Sequence, residues 1–234
     1  MDNIAAARSR FALSPATRAC FGSSGAVLLS LQRNRFYGLS LTDALILERL
    51  LHEGCASDHE PASVRQFLNA GLLVRFDADR PLPLPPPLRL ESPLTAVQAT
   101  QSPSAITALT LMHFAGACAW ALWALKYSSL ESTARSVREL RLSHAERRVD
   151  TTDKVADLIS IFGQCRRLTF TARDRCLFHA LALTRFLIHH DVPAVWVIGV
   201  RLRPWKAHSW AQYGPAVLDS TPEHVHEFLP ILIS

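Results

Sequence analysis

Short apolar runs separated by polar turns dominate the first third of the chain. Residues 26–31 (AVLLSL), a polar turn over Gln32, Arg33, Asn34 and Arg35, and then FYGLS read as two short strands joined in a hairpin. Ser40 stands ahead of Leu41, Thr42, Asp43 and an apolar run to Leu51. The hydroxyl and carboxylate of such an S-x-x-D start satisfy free helix N–H groups, so a helix is predicted to begin there. Pro61 suits the first turn of a second helix, which runs through Val64, Phe67 and Leu68 to a stop at Gly71 and is followed by a strand over 72–76. Strands and helices in this order within residues 1–80 are the content of a small winged-helix-like α+β module.

Between Arg80 and Pro93 the run PLPLPPPLRLESP carries six of the fourteen prolines. Such a run favours stiff polyproline II and forms neither helix nor ladder, so residues 81–104 are read as a Pro-rich linker between domains at 1–80 and 105–234. The second domain opens with an apolar helix near 105–127, then charged helical stretches from Leu130 to Arg148 and from Lys154 to Cys165. A helix from Cys176 to about His190 and a break at Pro193 follow. The β-rich run AVWVIGVRL and two strand-like pieces, AHSWAQY and AVLDS, complete an α+β pattern in which helices pack on an antiparallel sheet. From Ser92 to Leu125 there is no Asp, Glu, Lys or Arg, and His113 is the one side chain able to carry a positive charge, which raises the question of a membrane span. The Ala content and the polar Thr107, Thr110 and His113 favour a buried core helix instead, and no membrane partner is expected.

Composition narrows the classes. With 49% hydrophobic and 19% charged residues the chain can bury a substantial core, which excludes disorder as its overall state. A formal charge of +5 is a mild excess, and the second helix, ASVRQFLNAG, offers Arg65 and Gln66 without a basic stripe, so nucleic acid is not expected as a partner. Cys20, Cys55, Cys118, Cys165 and Cys176 are scattered and form no C-x-x-C pair, which argues against a disulfide framework. Together with an N-terminus lacking an apolar signal core, this leads to the expectation of a cytoplasmic protein.

Candidate chemistry gathers in residues 173–220. Cys176 falls at the start of its helix after Arg173-Asp174-Arg175, where the positive end of the helix dipole stabilises a thiolate. His208 lies in AHSWAQY, where strand alternation sends it to the same face as Trp210. Asp219 follows in AVLDS after a turn at Gly214-Pro215; on an adjacent strand it would orient the imidazole. A cysteine on a helix, a histidine on a strand and an acid on the next is the order a Cys-His-Asp nucleophilic site requires. The other four cysteines lack that context and are read as structural. An oxyanion donor is not evident; Gln164 is twelve positions upstream of Cys176, and the backbone N–H groups at the helix start offer an alternative. The pairs His189-His190 and His224-x-His226 lack a third ligand at a recognisable spacing, so no metal and no cofactor are expected.

Cys176-Leu177, Ile198-Gly199-Val200-Arg201, Pro204-Trp205 and Ala207-His208-Ser209-Trp210 occur in an order that resembles the transglutaminase-like (papain-type) cysteine protease of lasso peptide maturation, the B protein. The resemblance implies catalytic Cys176, His208 and Asp219, the last less directly, because Ala211-Gln212 and a shortened turn replace the Val-Glu and Asn-Asp that the family tends to show. AVLLSLQRNRFYGLSLTDALILERLL likewise resembles the leader-recognition element of ribosomal peptide pathways. That element implies binding of the precursor's leader as an added β-strand, with Leu28, Leu29, Phe36 and Tyr37 shaping the groove. An ATP-dependent macrolactam synthetase of the same pathway is the implied partner. The competing readings are a non-catalytic scaffold presenting the precursor to another enzyme, and acyl transfer to an amine instead of water.

Overall fold

A computed structural model of the chain describes residues 8–53, 55–56, 62–76, 94–97, 105–144, 152–169 and 176–234. They fall into two compact units, the first within Met1–Pro87 and the second in Leu88–Arg201 and Trp205–Ser234. The fold class is α+β, as the alternation of apolar periods implied.

In the first unit, β1 (Arg8–Leu13), β2 (Thr17–Gly22), β3 (Gly25–Ser30) and β4 (Arg35–Leu39) precede α1 (Leu41–Glu53), β5 (Cys55–Ala56), α2 (Ala62–Asn69) and β6 (Leu73–Phe76). The expected hairpin is β3–β4, with Leu28 opposite Tyr37 and Leu29 opposite Phe36, and β2 extends it to three strands. β1 joins a separate sheet, ordered β5-β1-β6. Neither β1 nor β2 was evident in the sequence, because RSRFAL and TRACFG place arginines among their apolar residues. Ser40 caps α1 as its position predicted: its hydroxyl oxygen accepts from the Asp43 N–H at 3.2 Å and its O–H donates to Asp43 Oδ2 at 2.7 Å. Gly71 ends α2 in the left-handed region (φ 67), with Leu72 N–H returning to the Phe67 carbonyl. Pro61 lies outside the described residues. Phe11, Leu28, Leu47, Leu50, Val64, Leu72 and Leu73 form this unit's core.

The second unit contributes β7 (Thr95–Ala96), α3 (Ala108–Tyr127), α4 (Leu130–Ser143), α5 (Thr152–Thr169), α6 (Cys176–Ile188), β8 (Val195–Arg201), β9 (Lys206–Tyr213), β10 (Ala216–Val217), α7 (Pro222–His226) and β11 (Leu229–Ile233). Its sheet runs β11-β8-β9-β10-β7, antiparallel except where β7 pairs with β10. Thr95 and Ala96, inside the stretch read as linker, are therefore part of this sheet. Of the other linker residues only Leu94 and Val97 are described; residues 81–93 and 98–104 lie outside the described residues.

α6 is the centre of the unit. Phe178, Ala180 to Thr184 and Phe186 to Ile188 are all buried, because α6 is apolar on nearly every side and packs on both α3 and β9. α3 differs from the expected buried helix. Phe114, Ala117, Cys118, Ala121 and Ala124 are buried, yet Leu109, Met112, Trp123 and Tyr127 are 55–70% exposed. Apolar on all sides, α3 has only one of them covered. By length and composition it is the one described helix able to cross a membrane.

Two packing details carry consequences. Gly199 on β8 pairs with His208 on β9, and a Cβ at 199 would lie 2.7 Å from the Trp210 ring and 2.9 Å from Phe228 Cβ. Trp210 lies against the bare backbone of Gly199 and completes a cluster with Val197, Val217, Val225 and Phe228. Separately, the C-terminal end of α6 gathers histidines from three helical segments. His113 Nδ1 is 3.3 Å from His190 Nε2, His113 stacks on His189 at 5.4 Å, and His144 Nδ1 is 2.9 Å from Asp191 Oδ1. Burial first, and neighbouring positive charge second, push His189 and His190 down to about 4.

Gly199→Ala is expected to destabilise the protein by about 1–3 kcal/mol, since a rigid indole must move; an unchanged urea midpoint would contradict this packing. The histidine cluster predicts acid sensitivity. Unfolded His189 and His190 take up protons near pH 6.5, whereas in the fold they resist until about pH 4, so their contribution is present above 6.5 and lost as pH falls toward 4. Between pH 7 and 5 the melting temperature should drop, and drop less in a His189→Asn/His190→Asn protein; equal slopes would contradict the prediction.

Candidate functional site

Cys176 is the first residue of α6, and its thiol is half-buried and free. The remaining cysteines with described side chains are buried: burial pushes the Cys20 and Cys118 thiols up to about 11, and Cys165 upward as well. Protonated and enclosed, those three are poor nucleophiles. Cys176 is thus the described cysteine in the setting a nucleophile needs, at a helix start with access to solvent. Arg173 and Arg175, expected to support its thiolate, lie outside the described residues.

His208 sits on β9 with its ring 4.9 Å from His224 of α7, 5.3 Å from Phe228 and 6.0 Å from Trp210, against which it stacks. Its Nε2 is buried and finds no hydrogen-bond partner among the described residues. Burial lowers its proton affinity most, His224 and Lys206 lower it further, and Asp219 opposes them. A neutral imidazole with an unsatisfied buried nitrogen is suited to accept a proton.

Asp219 follows β10 in a bend instead of standing on a strand, because the AVLDS strand comprises only Ala216 and Val217. The Gly214-Pro215 turn is as expected, Ala216 pairing with Tyr213 across it. The Asp219 side chain is 4% exposed. Its Oδ1 accepts the Ala211 N–H at 2.9 Å, and its Oδ2 lies 3.3 Å from Nδ1 of His179. Among the described residues its side chain makes no hydrogen bond to His208, on which it acts through space. His179 was missed from sequence. The available signal was its place three residues after Cys176, one turn along the same helix face.

Gln164 is exposed on α5, and no described contact involves its side chain. His224 touches the His208 ring, whereas His189 and His190 belong to the distant end of α6. No group of three metal-ligating side chains converges among the described residues.

The groove residues divide. Leu28 and Leu29 are fully buried on β3, the strand enclosed on both faces, so they pack the core and cannot line an open groove. Phe36 and Tyr37, on the outer strand β4, are half-buried and keep accessible surface. Elsewhere in this unit an open pocket of about 350 Å³ is lined by Arg65, Leu68, Asn69 and Arg75.

The family model of the transglutaminase-like superfamily matches residues 91–233, more than half of the chain. Among curated proteins, the Microcin J25-processing protein McjB of Escherichia coli is 38% identical over 50 residues, 21% of this chain and 24% of that protein. The match thus spans about a quarter of that relative's length. No solved structure matches the chain significantly. The matched region takes in β7 through β11 with the helices between them, including the α6 that begins at Cys176, and the chain belongs to the transglutaminase-like superfamily.

Proposed function

We propose that this protein is a leader peptidase of lasso peptide biosynthesis, using Cys176, His208 and Asp219 to separate leader from core. The observation that carries the reading is a half-buried thiol at the start of a helix, in a superfamily that is generally cysteine-protease-like, on a helix packed against the strand that bears His208. The partial likeness to a protein named for microcin processing supports the choice of substrate class.

The chemistry runs as acyl transfer. His208 takes the Cys176 proton, Sγ attacks the scissile carbonyl carbon, and backbone N–H groups at the start of α6 stabilise the oxyanion. The C–N bond breaks as His208 returns the proton to the departing core amine, leaving a thioester on the leader. Water then gives a proton to His208 and attacks the thioester, releasing the leader carboxylate and the thiol. Asp219 favours the imidazolium that forms in both steps, consistent with its opposition to the burial of His208.

In this proposal the N-terminal unit, a winged-helix-like module over residues 1–80, holds the leader as a strand added beside β4, near Phe36 and Tyr37. Tethering one end of the precursor raises the effective concentration of the scissile bond at Cys176. An ATP-dependent macrolactam synthetase acts on the released core.

Mass spectrometry of a precursor incubated with the full-length protein tests this. Cys176→Ala and His208→Ala are each expected to reduce core release by at least about 1,000-fold while binding of the leader persists. Undiminished release by Cys176→Ala would replace the peptidase with a presenting scaffold.

A further inference from the structure

A carboxylate withdrawn from water stays ionised only if hydrogen bonds replace its lost solvation. Asp219 has two such partners, one for each oxygen: the Ala211 amide at 2.9 Å and the His179 ring at 3.3 Å. The amide is backbone, available whatever residue stands at 211. The ring is a side chain, and it is itself restrained, packing edge-on against Phe162 of α5 at 5.4 Å. His179 is carried by the same helix that begins at Cys176, while Asp219 acts on His208. Direct contacts therefore run from α6 through His179 to the Asp219 carboxylate, the charge that opposes the loss of the His208 proton.

We infer that His179 is a positioning residue of the thiol site, which holds the second oxygen of Asp219 and so fixes the orientation of the charge that stabilises protonated His208. The contact needs the proton on Nδ1, so that the ring donates and the carboxylate accepts. Without it the carboxylate keeps a single anchor and can rotate about its side-chain torsions. The inference rests on the peptidase reading above.

Two measurements on the full-length protein test it. Core release gives kcat and KM, and alkylation of Cys176 by iodoacetamide, followed across pH by peptide mass spectrometry, reports the thiolate without any precursor. His179→Phe keeps an aromatic ring beside Phe162 but offers no donor. It is expected to lower kcat about tenfold with KM within about twofold. The alkaline limb of turnover should move to lower pH, and the low-pH plateau of alkylation, which reports the thiolate–imidazolium pair, should shrink. His179→Asn, whose amide nitrogen can take the place of Nδ1, should restore most of both, whereas His179→Gln, with its donor one bond farther out, should not.

Wild-type kinetics and pH profiles in His179→Phe would overturn the inference, as would equal behaviour of the Asn and Gln proteins. The Asn–Gln contrast decides the matter even if the Phe protein does not fold. Cys176→Ala, measured in parallel, separates the two levels. Loss of release there beside a normal His179→Phe rejects only the positioning role, and retained release rejects the peptidase itself.

Discussion

The packing of one apolar helix on one strand is the contact from which the second unit is organised. α6 has almost no polar face, so it must be enclosed on all sides, and α3, α5 and the sheet supply that enclosure. A helix held this way has no freedom to slide or roll. Its first residue, Cys176, and the residue one turn on, His179, are accordingly placed by hydrophobic burial along the rest of its length, to which His179 adds its contact with Asp219. Holding side chains on a rigid element, with their supports buried beside them, is what the acyl transfer proposed for Cys176 would require.

The same sheet explains how the residues around His208 fit together as a group. Gly199 is opposite His208 in the β8–β9 ladder, and the absence of its Cβ is what admits the Trp210 ring. Trp210 closes the cluster with Val225 and Phe228, and Phe228 with His224 forms the wall against which His208 rests. Val-Ile-Gly-Val and His-Ser-Trp are therefore two halves of one steric arrangement. It dries the imidazole and leaves its Nε2 without a hydrogen-bond partner among the described residues, with Asp219 as the influence that favours its protonation. The proton affinity of this imidazole is tuned by what surrounds it more than by any direct bond.

The two apolar features outside the site follow different logic. In the first unit β3 is buried along its whole length, so Leu28 and Leu29 are consumed by the core, and the outer strands β2 and β4 retain accessible surface. In the second unit α3 is apolar all round, but α6 can cover only one of its sides. Leu109, Met112, Trp123 and Tyr127 stay exposed on the other.

By itself the sequence determined the parts whose signals are local. These include the Ser40 cap, the Gly71 stop, the β3–β4 hairpin, the helix opening at Cys176, the β8 and β9 strands and the Gly214-Pro215 turn. Each depends on neighbours within a few residues, where capping, turn geometry and periodicity act directly. Only the tertiary structure decided which distant side chains meet. β1 and β2 exist because partner strands satisfy their backbone, not because RSRFAL or TRACFG alternates cleanly. The gathering of His113, His144, His189 and His190 joins residues dozens of positions apart through helix packing. Asp219 could be singled out in the sequence as a candidate acid, but its contact with His179 could not, because hydrogen-bond partners across forty residues are chosen by how α6 lies on the sheet, and periodicity carries no information about that.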